Sequence, residues 1–167
     1  MSIFITGDTH GDFRRFSSQY FLEGKNLNRN DYVIICGDFG GIWNTDEHNL
    51  SEKYWLDWLN AKPWTTLFVD GNHENFTRLN SFPQVEFCGG LTHQIRPHIY
   101  HLMRGEIFEI AAAAKIPFSQ YQPSETSKQI QDLVSNVEYK QHYFGHHHLD
   151  KRFNFSECLY TLIQQIH

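Results

Sequence analysis

The sequence predicts an α/β fold: a largely parallel sheet whose short strands alternate with helices, with a second sheet packed on the first. Three observations lead there. Residues 3–6, 32–36 and 66–70 are short apolar runs rich in Val, Ile and Phe, the composition of buried strands. Between them, apolar residues recur at helical spacing: Phe13, Phe16 and Tyr20, then Tyr54, Trp55, Trp58 and Leu59. The second half carries further strand-like segments, enough for another sheet.

Taken in order, helices are expected over roughly residues 13–21 and 46–60. Residues 86–90 read as a strand and turn, and 95–103 and 106–110 as strands joined through Arg104-Gly105. Residues 127–135 suit a short helix capped by Ser124 or Thr126. Residues 152–166 read as a hairpin around Ser156-Glu157. No repeat or linker interrupts the chain, so residues 1–167 are expected to form a single domain.

Composition narrows the function. Hydrophobic residues make up 40% and aromatics 16%, enough to fold without disulfide staples. The 14 basic and 19 acidic side chains leave a net charge of -5, and no Lys/Arg run stands out. A general nucleic-acid-binding surface is therefore not expected. An anionic substrate would need local positive charge, which a bound metal can supply. Cys36, Cys88 and Cys158 are scattered and odd in number, unlike a disulfide framework or a cysteine zinc site. The start of the chain lacks a basic region before Gly7-Asp8, and no apolar stretch is long enough to span a membrane, so a cytoplasmic protein is expected. Nothing in the sequence sets an oligomeric state.

The chemistry lies where apolar runs end. Four runs lead through glycine into potential ligands: Gly7-Asp8-Thr9-His10, Gly37-Asp38, Gly71-Asn72-His73-Glu74 and Gly145-His146-His147-His148. In an α/β sheet, ligands collect beyond the carboxyl ends of the strands, where these motifs would converge. Alone, each has an ordinary structural explanation: a turn aspartate, a cap at Asn72, surface histidines. In an extended segment Asp8 and His10 would share one side, as would His146 and His148, with His147 pointing away. Carboxylate, amide oxygen and imidazole together suit a divalent transition metal. Glu74 could hold the neighbouring His73 by a hydrogen bond.

In this order the motifs resemble those of the calcineurin-like metallophosphoesterase superfamily. The resemblance runs from residue 7 to residue 148 and is closest to a bacterial and phage-type subgroup, on Gly7-Asp8-Thr9-His10-Gly11-Asp12-Phe13, Gly37-Asp38-Phe39-Gly40-Gly41 and Val69-Asp70-Gly71-Asn72-His73-Glu74-Asn75-Phe76. It implies a two-sheet β-sandwich flanked by helices. It also implies hydrolysis of a phosphomonoester or phosphodiester by water activated between two metals. Asp8, His10, Asp38 and His148 would hold one ion. Asp38 would bridge to a second, held with Asn72 and His146. His73, aided by Glu74, would face the substrate phosphate and act as the acid. Mn, Fe, Ni and Zn all suit this donor set.

One departure stands out. The family has a further histidine on the second metal, and the best match here is Gln120. The close relatives also carry a longer segment where this chain has only residues 111–116. A weaker second metal is therefore expected. A second class of function fits the same departure: an impaired member of the fold acting as a binding or scaffold module.

Overall fold

The computed structural model describes residues 1–45, 49–111, 114–117, 141–154 and 156–166. Its main sheet grows from the apolar runs. Strands β1 (Ile3–Thr6), β2 (Tyr32–Cys36) and β3 (Thr65–Val69) lie parallel and side by side. Alternate residues serve opposite faces, and both faces are buried, which is why these runs are apolar throughout. Phe4, Val33, Ile35 and Phe68 pack with Phe13, Phe16, Leu56, Leu59 and Trp64 on the helical side. Ile3, Ile5, Ile34, Cys36, Leu67 and Val69 pack with Phe108, Ile110 and Leu159 on the other. Full burial of a side chain such as Phe68 contributes about 1.5–3 kcal/mol.

Four more strands complete a seven-stranded sheet: β4 (Gln84–Phe87), β5 (Gly90–Arg96), β6 (Ile99–Leu102) and β12 (Gln164–Ile166). The order is β12-β1-β2-β3-β6-β5-β4. On the face opposite the helices lie a pair, β7 (Ile107–Ala111) with β8 (Ala114–Pro117), and a three-stranded sheet of β9 (His142–Phe144), β10 (Lys151–Phe153) and β11 (Ser156–Cys158). The architecture is the expected mixed α/β fold with layered sheets.

Several local expectations are corrected. Residues 13–21 form only a 3-10 turn, Arg14–Phe16, because the chain becomes extended at Ser17 (φ -71, ψ 156). The Ser17 carbonyl takes the Tyr20 and Phe21 amides in a turn. Phe13, Phe16 and Phe21 are buried, while Tyr20 is 67% exposed, so the aromatic spacing reflected burial rather than a helix. Residues 95–103 are not one strand: Pro97 and His98 turn the chain between β5 and β6, where a missing N–H suits proline. Both halves join the main sheet rather than a second one. Residues 152–166 turn near Asn154 (φ 35), not at Ser156-Glu157, and the chain then leaves to pair β12 antiparallel with β1.

Helix α1 (Leu50–Asn60) forms within the expected 46–60, but its buried face centres on Leu56 and Leu59, with Trp55 and Trp58 partly buried and Tyr54 60% exposed. Asn49 caps it, its side chain accepting from the Glu52 amide at 3.0 Å. A short α2 (Phe76–Leu79) is capped likewise by Asn75. Residues 46–48 of the helix expected over 46–60, the proposed helix at 127–135 and Gln120 lie outside the described residues.

Candidate metal centre

The carboxyl ends of β1, β2, β3 and β9 meet through two buried carboxylates. Asp8 accepts the Asp38 amide at 2.9 Å on one oxygen and the His146 amide at 2.6 Å on the other. Asp38 accepts the His73 amide at 2.9 Å, and its own carbonyl takes the Thr9 and His10 amides, both at 2.9 Å. Backbone donors to ionised carboxylates offset the cost of burying them. The recurring glycines have a steric reason, and two of them show it. A Cβ on Gly71 would stand 1.7 Å from an Asp38 carboxylate oxygen. One on Gly145 would stand 2.1 Å from the Cys36 carbonyl oxygen and 2.7 Å from an Asp8 carboxylate oxygen.

On this frame Asp8, His10 and His148 each turn one ligand atom inward, all within 4.8 Å of one another. The Nε2 atoms of His10 and His148 are 2.9 Å apart. Donors in adjacent positions around one ion, each at about 2.0–2.1 Å, stand ~3 Å apart, so the pair fits a shared transition metal. An O,N,N donor set suits such an ion equally well. Asp38 lies beside the triad, its Oδ2 3.9 Å from His10 Nε2 and 4.0 Å from His73 Nε2. His146 stands outside the triad, its exposed ring against His147 at 5.5 Å. Asn72 is exposed on the loop after β3.

The convergence does not use extended backbone, as the alternating spacing suggested. His10 (φ 49), His146 (φ 75) and His148 (φ 49) all adopt left-handed conformations. Such backbone costs non-glycine residues about 1–2 kcal/mol each, and its concentration here marks a place where ligand direction outweighs local comfort.

Glu74 does not reach the His73 ring. It is buried, and its Oε1 accepts the Gly40 amide at 3.0 Å, while Oε2 has no hydrogen-bond partner among the described residues. Burial pushes this carboxyl up to about 8, aided by the negative charges of Asp38 and Asp70 and opposed by the Gly40 and Phe39 amides. Through the Gly40 bond it ties the loop after β2 to the loop after β3. Beneath it, burial would raise the Asp70 carboxyl, but hydrogen bonds from His101 and Arg104 outweigh burial and hold it below the usual range.

Sequence reading missed the residues that hold the imidazoles. The His73 ring stacks on Trp43 at 5.0 Å with planes 8° apart, and His148 stacks on Tyr160 at 4.7 Å and 12°. Arg15 ties the same parts together, donating to the Asp8 carbonyl at 2.7 Å, to Thr6 Oγ1 at 3.0 Å and to the Tyr160 carbonyl. Asp150 accepts the Tyr160 amide at 2.7 Å and so fixes the segment that presents Tyr160. Only Trp43, next to the Gly40-Gly41 pair, carried a local signal: a large aromatic in a glycine-rich loop.

The chain matches the family model of calcineurin-like phosphoesterases over residues 1–159, and it belongs to that family. It is 26% identical over 114 residues to lariat debranching enzyme A of Xenopus laevis, a match covering 61% of this chain and 20% of that protein. The chain thus spans about one fifth of that relative's length. No solved structure is matched. Membership implies metal-dependent phosphoester hydrolysis in general terms. Among the described residues, no helix is long and apolar enough to cross a membrane.

Proposed function

We propose that this chain, acting as one domain, hydrolyses a phosphomonoester or phosphodiester at a centre of divalent transition metal. Asp8, His10 and His148, with Asp38 beside them, would hold the first ion. The observation that carries this reading is the convergence of the Asp8, His10 and His148 ligand atoms within 4.8 Å. When bound, the metal supplies positive charge toward the phosphoryl oxygens and lowers the pKa of a water.

The chain's own residues do the rest. Asp8 spans the loops after β1, β2 and β9 through its two backbone acceptor bonds, which keeps the donors in register. The His73 side chain is 47% exposed and is held flat against Trp43. It would give a proton to the leaving oxygen or hydrogen-bond a phosphoryl oxygen. Glu74 supports it indirectly, through the Gly40 amide. Asp38, Asn72, His146 and Gln120 would serve a second, weaker site, with Mn, Fe, Ni or Zn as suitable ions.

Metal content of protein purified without chelator, measured with turnover of an aryl phosphate ester, tests this. The expected result is bound metal and turnover that chelation abolishes. Metal bound without turnover of mono- or diesters would favour a binding or scaffold role instead.

A further inference from the structure

A cavity of about 460 Å³ opens beside the metal triad, with His10 in its wall. Trp43 and Trp55 supply aromatic surface, the buried Phe13 backs the wall, and Asn44 and Ser51 supply amide and hydroxyl groups. Trp43 is shared: it borders the cavity and also stacks on His73. The cavity therefore begins where the phosphoryl-facing residues end, in the position of a leaving group's organic part.

Its wall is set in advance. Glu52 accepts the Trp43 amide at 3.1 Å, and the Asn44 amide and Asn44 Nδ2 at 3.0 Å each. Glu52 is in turn paired with Arg78 at 2.6 Å. The Asn44 carbonyl is capped by Arg78 at 2.6 Å and by Asn75 Nδ2 at 3.0 Å. These bonds hold the backbone at Trp43, a residue 50% exposed, and its ring rests on His73, so less ordering remains to be done on binding. Trp55 is steadied edge-on against Phe13 at 6.3 Å.

Charge decides what such a cavity takes. Among the described residues its lining has no lysine or arginine, and its carboxylate, Glu52, is already satisfied. Flat indole surface with neutral hydrogen-bonding groups favours a flat, uncharged ring over a charged or saturated chain. Resting on the phosphoesterase reading, we propose that this cavity is the leaving-group subsite and that the substrate's alcohol carries a flat, uncharged aromatic ring, an aryl group or a nucleobase. Trp43 is then its specificity-determining residue.

Uncleavable phosphonates test this without turnover. Full-length protein saturated with Mn²⁺ is titrated calorimetrically with ethylphosphonate, benzylphosphonate and an adenine-bearing alkylphosphonate. At least one aromatic ligand should bind about ten-fold or more tightly than ethylphosphonate. Trp43→Ala should shrink that gap to about two-fold, and Trp43→Phe should restore most of it. Ser51→Trp, at an exposed position, should fill the cavity and abolish the preference independently. Adenine ahead of benzyl assigns the ring's polar edge to Asn44 and Ser51, whereas equal gains assign stacking alone, and either supports the subsite. Equal affinity for all three, a preference that survives both Trp43→Ala and Ser51→Trp, or no binding at all overturns it. Turnover of a simple dialkyl phosphate ester and of an aryl ester on the same samples reports separately on the phosphoesterase reading: metal without any turnover would overturn that reading while a ring preference in binding still stood.

Discussion

Replacing Gly71 by alanine tests how tightly the loops of the centre are packed. The new Cβ would lie 1.7 Å from an Asp38 carboxylate oxygen and 2.5 Å from the Asp38 backbone nitrogen. The carboxylate cannot simply swing aside, because that oxygen accepts the His73 amide at 2.9 Å. Overpacking of this kind costs about 1–3 kcal/mol, and losing a hydrogen bond to a charged acceptor adds about 1.5–3 kcal/mol. Together they give a destabilisation of ~2.5–6 kcal/mol, hence a melting point lower by roughly 5–24 °C for a domain of this size. Gly89→Ala is the control. Gly89, unlike Gly71, has positive φ (85°), and nothing lies within 4 Å of its added Cβ, so it should lose only the left-handed penalty of about 1–2 kcal/mol. Thermal and urea unfolding of both variants, with and without added Mn²⁺, measures the difference. Equal losses in the two variants, with Mn²⁺ still raising the melting point of Gly71→Ala as in the unmodified chain, would refute the packing argument.

Other substitutions separate the roles. His73→Ala should lower kcat about 10²–10⁴-fold with metal content unchanged, as measured by steady-state kinetics and elemental analysis; loss of metal would make His73 a ligand. Tyr160→Ala should weaken metal affinity about 10–100-fold, in the range seen when a residue supporting a ligand is removed, and Tyr160→Phe, which keeps the ring that stacks on His148, should restore it. Unchanged affinity in Tyr160→Ala would leave the stack without a role. Gln120→His should tighten a second Mn²⁺ in equilibrium dialysis and raise turnover, and no change in either would remove Gln120 from the site.

What was legible in the sequence follows physical lines. Strands β1, β2 and β3 announced themselves because burial on both faces leaves them apolar along their whole length. The glycine before each motif was legible too, since Gly71 and Gly145 are where carboxylates or carbonyls press against the chain. The assignment of β5 and β6 to the main sheet was not legible, because pairing β6 beside β3 is a long-range choice that local pattern does not encode. Nor was the direction of the histidines. Alternation assumes extended backbone, whereas His10 and His148 reach each other through left-handed turns. Trp43 lies far in sequence from His73, as Arg15 does from Tyr160, and only the fold joins these pairs.

Equilibrium dialysis of Mn²⁺ against the unmodified chain and four single variants tests the metal centre most directly. The unmodified protein should retain at least one ion, and Asp8→Asn, His10→Ala and His148→Ala should each lose it. His147→Ala, beside His148 but outside the triad, should retain it. Equal retention in His147→Ala and His148→Ala, or an ion held by all four variants, would contradict a centre built on Asp8, His10 and His148.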